Sequence, residues 1–430
     1  VRRPDRRRAL RATLISVAAV VATLGYADAS AAAPWCGTVG SDDRAPAVAG
    51  PQIRLVYVVP SDGEDRSSTI VPQMSADVDA IEAWWQAQDP TRTARFDRAL
   101  FPCGAQADVE LLRMQQSGSQ LQPTEGRFDA IVDAVTGLDG LSPYFKYVVY
   151  YDGPLEDTDL CGQGGGLPDG PGVAIVYVDT CTGEPSATVA AHELLHAMGA
   201  LPRSGPQHSC GVDDYAHACD SNTDVMWPFA TLVPLSSLIL DVNRDDYYGH
   251  SGAWDDVQDS RWLRHLDAQT PLTVSFQGRG TVVSDIPGVL CTATCTTQWD
   301  TGSTVSLSAT PGAGQRLVRW GGSCSGSAPS CTVSLAQAMQ VSALFAPPTF
   351  GLRVAVSGRG TVRGGAGQVT CPARCVAAVP SYTPARLVAT PAKGWRFKAW
   401  AGACRGTRPT CSLPMRKAAT VRAAFARVKR

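Results

Sequence analysis

An offset of 80 residues lays residues 271–350 onto residues 351–430. Gly278-Arg279-Gly280-Thr281-Val282 meets Gly358-Arg359-Gly360-Thr361-Val362, Ala309-Thr310-Pro311 meets Ala389-Thr390-Pro391, and Trp320 meets Trp400. Cys291, Cys295, Cys324 and Cys331 meet Cys371, Cys375, Cys404 and Cys411 with one shared spacing, C-x3-C-x28-C-x6-C. Chance does not produce such a register, so the last third of the chain is two copies of one module, expected over 271–347 and 351–427. Short runs that alternate apolar and polar residues, such as Val305-Ser306-Leu307-Ser308, lie between Gly and Pro turns and predict small all-β units. A module of this size buries a modest core, which two disulfides can reinforce. Of three pairings per module, the local one is favoured, Cys291 with Cys295 and Cys324 with Cys331. A four-Cys zinc site is the competing reading, weakened by the lack of a C-x2-C knuckle.

The G-x-G-T-V opening, A-T-P centre and W-x-G-x-C close resemble the internalin B-repeat-like modules of secreted bacterial surface proteins. That resemblance implies attachment or spacing and no chemistry. The two copies differ in charge: residues 351–430 hold 16 Lys/Arg and no acid, while residues 271–350 hold three Lys/Arg against two Asp/Glu. The second copy is therefore expected to meet an anionic cell-wall polymer. Nucleic acid is the less expected partner, because the chain reads as exported.

Export is read from the first 31 residues. Arg2, Arg3, Arg6, Arg7, Arg8 and Arg11 precede an apolar run over 12–27 and then Ala29-Ser30-Ala31, the layout of a signal peptide cleaved near Ala31. The apolar run is short of the roughly 20 residues needed to cross a bilayer, and no transmembrane anchor is expected elsewhere. Cysteines number six between Cys36 and Cys219 and eight beyond, even sets that suit disulfides formed outside the cytosol. A secreted, extracellular or cell-wall-associated protein is the expectation.

Residues 32–270 form the remaining domain, with 13 Lys/Arg and 35 Asp/Glu. Its periodicities predict strands at 53–59, 108–114, 147–151 and 173–178, and helices near 75–88 and 128–138. The glycine-rich run 162–166 has no lysine in a P-loop context and reads as a loop without a nucleotide site. Then comes Thr188-Val189-Ala190-Ala191-His192-Glu193-Leu194-Leu195-His196-Ala197-Met198-Gly199. On a helix, H-E-x-x-H puts both imidazoles on one face, where they can hold one Zn2+, with Glu193 one step round to activate water. Gly199 can end the helix and turn the chain back.

These residues, with Asp224-Val225-Met226 as a Met-turn, resemble the metzincin branch of the zincins. The resemblance implies an α+β zincin-like catalytic domain followed by the two small all-β disulfide-containing modules. It places a third ligand three residues after the glycine, where this sequence has Pro202, which cannot bind zinc. The donor must come from the following loop, which offers His208, Asp213, Asp214, His217 and Asp220. His208, the first histidine after Gly199, is the favoured third ligand and His217 the alternate. Cys210 and Cys219 bracket this loop and can staple it over the metal. Met226 would form an apolar floor below the zinc, or serve as a plain core methionine, and Trp227 would wall the cleft or join the core.

A second cluster, Asp241-Val242-Asn243-Arg244-Asp245-Asp246, places oxygen donors like the start of a calcium loop. Asp246 stands where glycine is expected, so a hydrogen-bonded turn is the alternative to Ca2+. Tyr247 or Tyr248 could donate to a developing oxyanion. The function expected is that of a secreted zinc endopeptidase with Glu193 as general base and His192, His196 and His208 as ligands. Its rival is a noncatalytic surface-binding protein with a degenerate zincin-like domain.

Overall fold

The computed structural model describes residues 35–428 apart from 41–43, 141, 181–184, 202–207, 212–215, 365–368 and 382. The leader read over 1–31 and the position of Pro202 lie outside the described residues. An α/β region with a mixed sheet precedes the β-rich modules. Its strands are β1 (Gln52–Val59), β2 (Val109–Arg113), β3 (Phe145–Tyr151), β4 (Gly162–Gly166) and β5 (Gly172–Tyr177). They stand in the order β2-β1-β3-β5-β4, with β4 alone antiparallel to its neighbour.

Strands β1 and β3 are buried along their whole lengths, which requires a cover on each face. On one face lie helices α1 (Ser67–Gln88) and α3 (Ser186–Ala197), whose Val71, Val78, Val189 and Leu194 pack with Leu55, Tyr57, Val148 and Ala174. On the other lies α2 (Arg127–Gly137), whose Ile131 and Val135 meet Val56, Val58 and Val149. Helix α1 begins eight residues before the start read from sequence and runs through Pro72. No helix among the described residues is long and apolar enough to cross a membrane.

Each module folds as two four-stranded sheets around its own core. Trp320 and Trp400 occupy equivalent buried places, where their indole N–H groups donate to Ala328 O at 2.8 Å and Arg408 O at 2.9 Å. That bond anchors the short loop closed by Cys324–Cys331 or Cys404–Cys411 and explains why both copies keep the tryptophan. Cys291 pairs with Cys295 and Cys371 with Cys375, the local connectivity. The first module is docked on the α/β region: Ala49 joins its core, and Arg95 is paired with Asp300.

Candidate metal centre on helix α3

Residues 188–195 of α3 are all buried, so the helix is enclosed and its apolar character runs right round it. Its C-terminus is closed by Gly199 in the left-handed region (φ 84°), followed by a bond from Ala200 N–H to Leu195 O at 3.0 Å. The Lys146 ammonium, buried in the sheet, donates to Ala197 O at 2.7 Å, Leu167 O at 2.8 Å and Gly170 O at 2.9 Å. A cation at the carbonyl end of the helix also opposes its dipole.

Strand β4, read from sequence as a loop, is the sheet edge against which α3 lies. A Cβ at Gly162 would stand 2.7 Å from Glu193 Cγ, one at Gly164 would stand 2.3 Å from Glu193 O, and one at Gly166 2.3 Å from Ala197 O. At Gly164 and Gly166 the helix backbone comes too close for any side chain, and at Gly162 the Glu193 side chain and Ile175 O fill the space. This contact brings the Glu193 carboxyl against the sheet edge.

His192 and His196 project from α3 with Nε2 atoms 3.2 Å apart. Two nitrogens on one tetrahedral zinc at about 2.0–2.1 Å stand roughly 3.3–3.4 Å apart, so this separation fits a shared ion. His192 Nδ1 lies 2.7 Å from Val225 O, which can only accept; Nδ1 therefore carries the proton and Nε2 presents its lone pair. Asp224 holds that carbonyl in place by accepting from Met226 N–H at 2.7 Å, Val242 N–H at 2.8 Å and Tyr247 Oη at 2.8 Å. Met226 is fully buried in the same core as α3.

The third imidazole is His217. The three ring centroids lie 4.9, 5.0 and 5.2 Å apart, and the ligating atoms lie within 4.8 Å of one another. The favoured sequence assignment of His208 is not met by the geometry. Ser209 bridges Ala218, Cys210 N–H donates to His217 O and Cys219 N–H donates to His208 O, which makes a two-stranded ladder stapled by Cys210–Cys219. His208 and His217 stand at opposite ends of this ladder, two steps or roughly 7 Å apart. The end holding His217 meets α3, while His208 Nδ1 lies 3.1 Å from Asp246 Oδ1 in a group with Asp220 and Asp245. His217 lies inside the loop closed by the Cys210–Cys219 disulfide and His208 outside it. Asp213 and Asp214 lie outside the described residues.

Burial, and then the neighbouring His192 and His217, hold His196 well below the usual histidine range, so it is neutral and ready to donate its lone pair. Burial also pushes Glu193 up to about 8.

Asp241, Tyr247 and Tyr248 have hydrogen-bond partners within the fold. Asp241 accepts from the N–H groups of Asp246, Tyr247 and Tyr248, the hydrogen-bonded turn that was the alternative to a calcium loop. The Tyr247 hydroxyl is taken by Asp224 and that of Tyr248 by Asp89, both in the core, so neither reaches a reacting oxyanion. Trp227 is partly buried and packs edge-on to Phe229 at 5.2 Å.

Residues 272–349 and 352–429 each match the divergent InlB B-repeat domain family. No protein with a curated description matches the chain. Among solved structures, it is distantly similar to the Bacillus anthracis TIE protein, at 9% identity and TM-score 0.24 over 39% of this chain. It spans about a third of that protein's length, 35%. It is also similar to wild-type OgpA from Akkermansia muciniphila, at 11% identity and TM-score 0.27 over 71% of this chain and 99% of that one. A catalytically inactive form of OgpA, in complex with an O-glycopeptide substrate, matches at 11% identity and TM-score 0.27 over 72% of this chain and 88% of that one. The major pilin of Streptococcus pyogenes matches at 7% identity and TM-score 0.17 over 37% of this chain and 97% of that one. Superpositions this loose have no bearing on the chemistry of this chain.

Proposed function

We propose that the α/β region is a zinc-dependent peptidase, with His192, His196 and His217 as the metal ligands and Glu193 as the general base. The observation that carries this reading is the convergence of two imidazoles of the enclosed helix α3 with that of His217 from the stapled ladder, beside the buried Glu193. Three imidazole nitrogen donors suit zinc and leave a fourth position open, the composition of catalytic zinc sites. A zinc ion held there would supply Lewis-acid chemistry, acidifying a water molecule and polarising a carbonyl.

The rest falls to the chain itself. Glu193 takes the proton from the attacking water and returns it to the departing amine. Its carboxyl stands desolvated against Gly162, a setting that raises its proton affinity. The outer edge of β4 has no neighbouring strand among the described residues, so an extended peptide can add there through main-chain hydrogen bonds beside Glu193. The disulfides suit an oxidising compartment outside the cytosol.

The test is Glu193→Gln, purified alongside the unaltered protein. Zinc content should stay near one per chain, while hydrolysis of a denatured protein substrate falls by about 100-fold or more. Near-normal hydrolysis by the variant would overturn the mechanism. Absence of zinc from the unaltered protein after dialysis would favour a noncatalytic surface-binding role.

A further inference from the structure

The second module carries a charge that its fold does not need. Every Lys and Arg described in residues 351–428 is exposed, and among the described residues none is in an ion pair, because the module contains no acid. The first module is the control. With the same strand order and a core of the same kind, it places Thr273, Thr294, Ser306 and Ser342 where the second places Arg353, Arg374, Arg386 and Arg422. In the first module Thr273 bonds to Thr296 at 2.9 Å and Ser306 to Thr332 at 2.8 Å, so hydroxyls satisfy these surface positions. Replacing them by guanidinium groups adds self-repulsion and no internal partner.

The distribution says what kind of ligand compensates. Arg353 and Arg422 lie diagonally on adjacent strands of one sheet, where Arg353 is opposite Thr420 and Ala355 opposite Arg422. Arg363 and Arg386 repeat this diagonal on the other sheet, where Arg363 is opposite Val388 and Arg386 opposite Ser412. Strand rise and spacing put each pair roughly 8 Å apart, about one Debye length at physiological ionic strength. The two sheets present these pairs on opposite outer faces, and further cations stand on the turns between, such as Lys393, Arg405 and Arg408. A small anion would need one concave cluster, and a planar membrane would reach one face only. A flexible linear polyanion can follow cations round the module.

We propose that the second module is a docking site for a linear anionic glycopolymer of the cell envelope, held by distributed, salt-sensitive contacts with its phosphate or carboxylate groups. This goes beyond the hydrolytic reading and does not depend on it. The disulfides of both modules suit an oxidising compartment outside the cytosol, where envelope polymers are met. Guanidinium predominates over ammonium in the module, which suits bidentate contact with phosphate and carboxylate.

The test uses the full chain and a quadruple variant carrying the first module's residues: Arg353→Thr, Arg374→Thr, Arg386→Ser and Arg422→Ser. Binding to purified poly(glycerol phosphate) teichoic acid is measured between 50 and 200 mM salt, with double-stranded DNA and a neutral glucan as comparison polymers. The unaltered protein should bind the teichoic acid and not the glucan. If each lost cation removes about 0.7 from the salt exponent, the variant should lose about 50-fold of the affinity change across this range. An unchanged melting temperature should show that the variant is folded. Retention indifferent to salt, or equal binding by variant and parent, would overturn the proposal. Clear preference for DNA over teichoic acid would assign the surface to nucleic acid instead. Self-association of the unaltered protein at low salt, abolished in the variant, would assign it to the acidic region of a second copy.

Discussion

Replacing Gly164 by alanine tests whether contact between β4 and α3 positions Glu193 and the three-histidine cluster. The added Cβ would lie 2.3 Å from Glu193 O and 2.9 Å from His196 Cβ. Carbon and oxygen need a little over 3 Å, so helix and strand must part by roughly 1 Å at the turn that carries Glu193 and His196. Insertion of a methyl group into a closed contact costs typically 1–3 kcal/mol, and a displacement of about 1 Å at a reacting centre can cost 100-fold in rate. The neighbouring Gly165 is the internal control, since a Cβ there meets only Phe128 Cζ at 3.7 Å, an ordinary contact. Gly165→Ala should melt like the parent and bind zinc as tightly. Gly164→Ala should lose about 1–3 kcal/mol in urea unfolding and give up zinc to a weaker chelator. If the two variants unfold within about 0.5 kcal/mol of each other and hold zinc equally, the close approach is not what sets the geometry of the centre.

Competitive chelation should show His217→Ala releasing zinc far more readily than His208→Ala; the reverse order would return the third-ligand role to His208. The Asp246 carboxylate raises the proton affinity of His208, through its charge first and its hydrogen bond second. Their pairing therefore stabilises the fold fully below about pH 6.5, the ordinary histidine value, and is lost as pH rises through the higher folded value. His208→Ala should accordingly lower the melting temperature more at pH 5.5 than at pH 8.5, and an equal loss at both would refute the pairing. Lys146→Met leaves three carbonyls without their shared donor, which should cost about 2–4 kcal/mol in urea unfolding; a change below about 0.5 kcal/mol would show that the ammonium is dispensable.

The amino-acid sequence by itself determined what depends on local periodicity and on spacing. The tandem modules and their short disulfide loops follow from the offset of 80 residues, because cysteines four and seven positions apart meet by local turning of the chain. The strands β1, β3 and β5 and the helix carrying His192, Glu193 and His196 were legible for the same reason: apolar runs and an i, i+4 pair have one geometry each. Only the tertiary structure brings His217, and not His208, beside His192 and His196, since that turns on which end of a stapled ladder meets α3. The strand β4 reads as a loop in the sequence because the need for Gly162, Gly164 and Gly166 comes from Glu193 and Ala197, more than 25 residues away in the chain. Tyr247, Tyr248 and Asp241 looked chemical in isolation, and only burial against Asp224, Asp89 and the turn 241–248 showed their polar groups already satisfied. A sequence records which groups a chain owns, but hydrogen-bond partners distant along the chain decide which of them remain free to react.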